Sequence, residues 1–144
     1  MRLLVTGGEG QVGRAFSRQN HDHELFACSR SELDILDPDS ISVAIEKYQP
    51  DVIVNCGALT DVDRCEVDSE LALNTNGYAV GLLAEQAEAC GASLVQLSTD
   101  YVFDGKKNGE YQENNKTNPI SIYAKSKFEG ENNVIRSNSE TLVI

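Results

Sequence analysis

Tyr123 and Lys127 are spaced Tyr-x-x-x-Lys in a stretch of helical character, and residues four apart on a helix share one face. A phenol beside an ammonium forms a proton-transfer pair, because the cation favours the phenolate. Tyr123 is thus suited to give a proton to a carbonyl oxygen as that carbonyl is reduced. Upstream, Ser98-Thr99-Asp100 closes a strand-like run, and open α/β sheets place ligands at the carboxyl ends of their strands. A hydroxyl there can hydrogen-bond the same carbonyl. Thr99, Tyr123 and Lys127 are therefore the candidate catalytic set.

The hydride would come from the other end of the chain. Thr6-Gly7-Gly8-Glu9-Gly10-Gln11-Val12-Gly13 follows a strand-like run and opens a helix, which is the context a dinucleotide fingerprint needs. Gly7, Gly10 and Gly13 let the backbone approach a pyrophosphate, and the helix start at Gln11 and Val12 offers free N–H groups. After the second strand stand Ser29 and Arg30; a hydroxyl and a guanidinium suit a 2′-phosphate, so NADPH is expected ahead of NADH. The competing readings are a glycine turn without a ligand, a solvated arginine and a chance Tyr–Lys pair. The order strand, glycine turn, helix and hydroxyl-bearing strand end speaks against them together.

These residues need a scaffold that brings both ends of the chain to one edge. Short apolar runs alternate with helical stretches, which predicts βαβ units and a parallel, doubly wound Rossmann-like sheet with helices on both faces. Strands are expected at 2–6, 24–28, 51–56, 94–98 and from 141, and helices at about 11–19, from Asp37-Pro38 to Pro50, 69–90, and from Tyr123 to Ser137. Asp37 followed by Pro38 is a helix start. Residues 105–119 read as a surface loop. A buried parallel strand should be covered at its far side, so 1–144 reads as a nucleotide-binding domain followed by further chain in a longer protein.

Composition narrows the field. The 144 residues carry a net charge of −11, which argues against a nucleic-acid or anionic-membrane partner. No stretch approaches the roughly 18 apolar residues of a membrane span, and the chain starts directly in a strand-like run. Cys28, Cys56, Cys65 and Cys90 lack metal-ligand spacing; reduced thiols and a cytoplasmic setting are the expectation, with no metal. Acids from Asp61 to Glu70 read as a solvated face and helix-start charges, and His21 and His23 as exposed loop residues.

The chain resembles the extended short-chain dehydrogenase/reductases, and within them the family of dTDP-4-dehydrorhamnose reductases. The resemblance rests on Thr6–Gly13, Leu33–Asp37, Pro50–Asn55, Thr60–Asp63, Ser98–Gly105 and Tyr123–Lys127, of which Ser-Thr-Asp-Tyr-Val-Phe is the most specific. It implies reduction of the 4-keto group of a dTDP-linked 4-keto-6-deoxy sugar, giving dTDP-L-rhamnose. It further implies that Thr99 orients the carbonyl, that Lys127 holds the nicotinamide ribose, and that Asp34 and Ile35 lie by the adenine. Gly57, Ala58 and Thr60 would flank the cofactor, with Val62, Tyr101 and Phe103 on the substrate side. Members carry a C-terminal substrate domain, and some dimerise through Mg²⁺ held by a Glu on the first helix. Position 15 is Ala15 here, which speaks against a metal-linked dimer while leaving a homodimer of the longer protein open.

Three other readings stay in view. One is an epimerase or dehydratase on another nucleotide sugar; Tyr101 stands where a dehydratase would carry Glu after Asp100. Another is a non-catalytic dinucleotide-binding subunit like the regulatory subunit of methionine adenosyltransferase. The third is a 144-residue form without activity of its own.

Overall fold

Five short runs form the strands, the central ones apolar enough to be buried on both faces. In the computed structural model, which describes residues 1–19, 22–137 and 140–144, they are β1 (Arg2–Thr6), β2 (Glu24–Ala27), β3 (Val52–Asn55), β4 (Ser93–Gln96) and β5 (Thr141–Val143). All pair in parallel, in the order β2–β1–β3–β4–β5. Leu4, Val5, Ile53 and Leu94 are essentially inaccessible, as the interior of a parallel sheet demands. The expected Rossmann-like class is the one observed. His21 lies outside the described residues; His23 is exposed.

From β1 the chain moves outward to β2, then returns past β1 to β3 and continues the other way. Right-handed crossovers therefore put the helices on opposite faces and leave a crevice where the order reverses, between β1 and β3. The helices are α1 (Gln11–Arg18), α2 (Pro38–Tyr48), α3 (Val62–Val67), α4 (Ser69–Leu73), α5 (Ala79–Cys90) and α6 (Ile122–Arg136). One core joins Leu4, Ile53 and Leu94 to Ile41 and Ala44 of α2, Leu83 and Ala84 of α5, and Val134 of α6.

The single helix expected at 69–90 is instead two, joined by a π-helical turn at Asn74–Tyr78 in which the Ala79 N–H reaches back five residues to the Asn74 carbonyl. An unforeseen helix, α3, precedes them. The acids read as a solvated face and helix-start charges include the N-caps of α3 and α4: Asp61 accepts from Arg64 N and Asp68 from Leu71 N. Capping outcompetes continuation here, because each carboxylate satisfies N–H groups that would otherwise be orphaned.

The π turn seats α6. A Cβ on Gly130 of α6 would collide with the Asn76 carbonyl oxygen, so the two backbones meet with no room for a side chain. Gly130→Ala is expected to lower stability by about 1–3 kcal/mol through overpacking. A denaturant midpoint equal to that of the wild type would refute the close approach.

Candidate functional site

β1 ends in Thr6 and the next residue, Gly7, turns back with φ +62°, a conformation that β-carbons resist. A Cβ at Gly7 would also lie 2.9 Å from the Cys56 carbonyl oxygen, and one at Gly13 would meet the Gly7 carbonyl oxygen and, at 2.7 Å, the Gly8 Cα. The α1 N-cap, Gly10, supplies no side-chain hydrogen bond. The first-turn N–H groups beside Gln11 and Val12, both exposed, are therefore left for a ligand.

These glycines open on a cavity of about 250 Å³ at the crevice. Of the residues singled out for a cofactor, Gly7, Gly10, Arg30, Asp34, Ile35, Gly57 and Ala58 line it. Glu9, Leu33, Leu36, Cys56 and Thr75 also line it and had not been singled out. Gln11, Val12, Gly13, Ser29, Thr60, Tyr123 and Lys127 are not among its lining residues. The Arg30 guanidinium pairs with Asp34 at 3.2 Å while remaining largely exposed. Asp34 also receives the Leu36 N–H. Ser29 donates its N–H and hydroxyl to Glu32, each at 2.8 Å, and these bonds hold the Glu32 carboxyl below the usual range.

The chemistry-bearing side chains gather at the end of β4. Ser121 caps α6 by accepting from Ala124 N, and the Glu66 carboxylate of α3 receives the Ile122 N–H at 2.7 Å. That start fixes the turn carrying Tyr123 and, one turn on, Lys127. The Lys127 side chain is buried, 4% exposed, and its Nζ donates to the Leu97 carbonyl at 2.5 Å. Burial pulls its pKa down to about 8, with the Glu131 carboxylate and Cys56 opposing. Cys56 is pushed up to about 11 by burial, partly offset by Lys127. The four cysteines are free thiols.

Thr99 caps a short 3₁₀ turn, Asp100–Val102, its hydroxyl accepting from Tyr101 N at 3.2 Å. Tyr123 is half-buried, with the Tyr101 ring edge-on at 5.9 Å. Val62, Tyr101 and Phe103 line a second, more apolar cavity of about 560 Å³ with Asp100, Tyr111 and Ile120. Its floor is set by Asp104, which receives Tyr111 Oη, Asn118 Nδ2 and Lys106 N at 3.0–3.1 Å. Those bonds, Asn118 first, hold its carboxyl down at about 2. The arrangement therefore offers a glycine-lined cleft, a buried lysine one helical turn from Tyr123 on α6, and an apolar cavity whose Tyr101 ring meets Tyr123.

Sequence reasoning missed the brace between cradle and helix. Asn76, buried in the π turn, accepts from Leu59 N at 2.8 Å and donates to Leu59 O and Ser126 Oγ, each at 2.9 Å. One amide thus ties the loop beside Gly57 to α6. The polar run Asn74–Asn76 within an otherwise apolar helix was the available signal.

A glycine-turned parallel sheet with a Tyr-x-x-x-Lys helix at its carboxyl edge defines the short-chain dehydrogenase/reductase class. The chain belongs to the RmlD substrate binding domain family, whose model matches residues 1–144. It is 38% identical to a dTDP-4-dehydrorhamnose reductase of Aggregatibacter actinomycetemcomitans over 99% of this chain and 50% of that protein. It is 40% identical to methionine adenosyltransferase 2 subunit beta of Danio rerio over 94% of this chain and 44% of that protein. Among solved structures, dTDP-4-dehydrorhamnose reductase of Bacillus anthracis in complex with NADP superposes with a TM-score of 0.95 at 30% identity, covering 99% of this chain and 51% of that one. The Clostridium acetobutylicum reductase gives 0.93 at 36% identity, covering 99% and 52%. The chain thus spans about half the length of the relatives it matches. Among the described residues no helix is long and apolar enough to cross a membrane.

Proposed function

We propose that this chain is the cofactor-binding part of an NADPH-dependent reductase acting on the 4-keto group of a dTDP-4-keto-6-deoxy sugar, with dTDP-L-rhamnose as product. The observation that carries the reading is the buried Lys127 ammonium, one helical turn from Tyr123, with its Nζ on the Leu97 carbonyl just past β4. When bound, the nicotinamide supplies hydride to the carbonyl carbon. The Gly7–Gly13 turn and the α1 N-terminus hold the pyrophosphate, Arg30 with Ser29 meets the 2′-phosphate, and Asp34 and Ile35 meet the adenosine end. Lys127 holds the nicotinamide ribose. Tyr123 gives its proton to the carbonyl oxygen, and Thr99 orients that oxygen by hydrogen bonding. Val62, Tyr101 and Phe103 offer apolar surface to the sugar nucleotide.

A fluorescence titration of this chain with NADPH and NADH tests the cofactor reading. Saturable binding, tighter for NADPH, is expected, and Gly13→Ala should weaken it by about tenfold or more, since a 1.4 kcal/mol loss already does so. A folded chain that ignores both dinucleotides would overturn it. The likeness to methionine adenosyltransferase 2 subunit beta supports a second reading, a dinucleotide-binding regulatory subunit. Stoichiometric capture of an enzyme partner by the full-length protein, without keto-sugar turnover, would favour that one.

A further inference from the structure

Thr6, Asn55 and Gln96 occupy a single rung of the sheet, at the carboxyl ends of β1, β3 and β4. Thr6 is in register with Asn55, and Asn55 with Gln96. All three are buried, at 0%, 1% and 2% exposure, and a polar row inside a parallel sheet is stable only if every group is paired. The pairing runs in one sense. Thr6 Oγ1 donates to Asn55 Oδ1 at 2.6 Å, Asn55 Nδ2 to Gln96 Oε1 at 2.7 Å, and Gln96 Nε2 to the Leu97 carbonyl at 2.7 Å. At its near end the Gly57 N–H, in the wall of the glycine-lined cleft, donates to both Thr6 Oγ1 and Asn55 Oδ1 at 3.1 Å. At its far end the Leu97 carbonyl also receives Lys127 Nζ at 2.5 Å.

We infer that Gln96 is the positioning residue for Lys127: fixed by Asn55 and Thr6, its amide shares the Leu97 carbonyl with the ammonium and keeps that contact weak enough to be surrendered to a bound dinucleotide. The inference rests on the cofactor reading above. Two donors on one carbonyl oxygen compete, and the partial positive charge of the Gln96 amide hydrogens faces the ammonium at close quarters. Removing that donor gives Leu97 wholly to Lys127 and favours the charged form. The other titratable groups that act on Lys127 stay in place: Glu131 on α6, whose carboxylate accepts from Ser98 Oγ, and Cys56 just past β3. The chain's direction is also fixed, because an Asn55 flip would leave the Thr6 hydroxyl and Gly57 N–H facing an amide NH₂.

The test is Gln96→Met in this chain, with lysine labelled at ¹³Cε and the Lys127 resonance assigned by its loss in Lys127→Met. The Lys127 titration is expected to move up by about one pH unit, and the NADPH dissociation constant to rise about fivefold, the size of one hydrogen bond. A lower melting temperature with both readouts unchanged would make Gln96 merely structural and overturn the proposal. If Gln96→Met does not fold, Gln96→Asn, too short to reach Leu97 while still facing Asn55, carries the same expectation and the same refutation. Neither readout needs the sugar. Failure of keto-sugar turnover in the full-length protein, with these shifts intact, would therefore count against the reaction and not against Gln96.

Discussion

Tyr123→Phe in the full-length protein is expected to lower kcat for keto-sugar reduction by about 10²–10⁴-fold, the usual worth of a positioned general acid, with NADPH affinity nearly unchanged. The substitution removes one oxygen and leaves the ring that meets Tyr101 edge-on. The helix start stays as it was, because Ser121 and Glu66 hold it through backbone N–H groups. Steady-state kinetics beside a dinucleotide titration separate proton transfer from binding. Retained kcat would remove Tyr123 from the chemistry.

Lys127→Met is expected to act in two opposite directions, ending turnover while stabilising the fold at neutral pH. The unfolded lysine keeps its proton up to about 10.5, whereas burial brings the native one down to about 8. Below pH 8 both states are charged and the native state carries the cost of a buried ammonium. Between the two values the unfolded chain holds a proton that the native chain has released, so wild-type stability rises with pH. The gap corresponds to about 3 kcal/mol. Denaturant unfolding from pH 7 to 10.5 should therefore show the wild type gaining on Lys127→Met by about that amount, while other titrating groups cancel in the difference. A flat difference would mean that the ammonium is not buried at cost.

Much of this site was legible because it is carried by backbone rules. Asp37-Pro38 starts α2 where helix capping says it must, with Asp37 accepting from Asp39 N. Gly7 and Gly10 line the cavity and Gly13 packs against the Gly7 backbone; Arg30, read from its charge, and Asp34 and Ile35, read from the family resemblance, line it as well. What escaped depends on pairings that no local window contains. Gln96 reads as one polar residue in an apolar strand; its role follows from register with Asn55, 41 residues away. Asn76 reads as a weak helix position, and only the approach of α6 at Gly130 explains why the helix widens there.

The mouth of the glycine-lined cleft has an electrostatic consequence for how fast it fills. Glu9 and Asp34 line it, and Arg30, the one cation among its described lining residues, is already paired with Asp34 on a chain of net charge −11. A polyanionic dinucleotide therefore approaches against a repulsive field and is captured by short-range N–H groups at the end of the approach. Mobile ions damp that field beyond about 10 Å at 0.1 M ionic strength, but they barely touch the amide contacts. Salt should accordingly quicken the encounter, the reverse of what a basic binding groove shows.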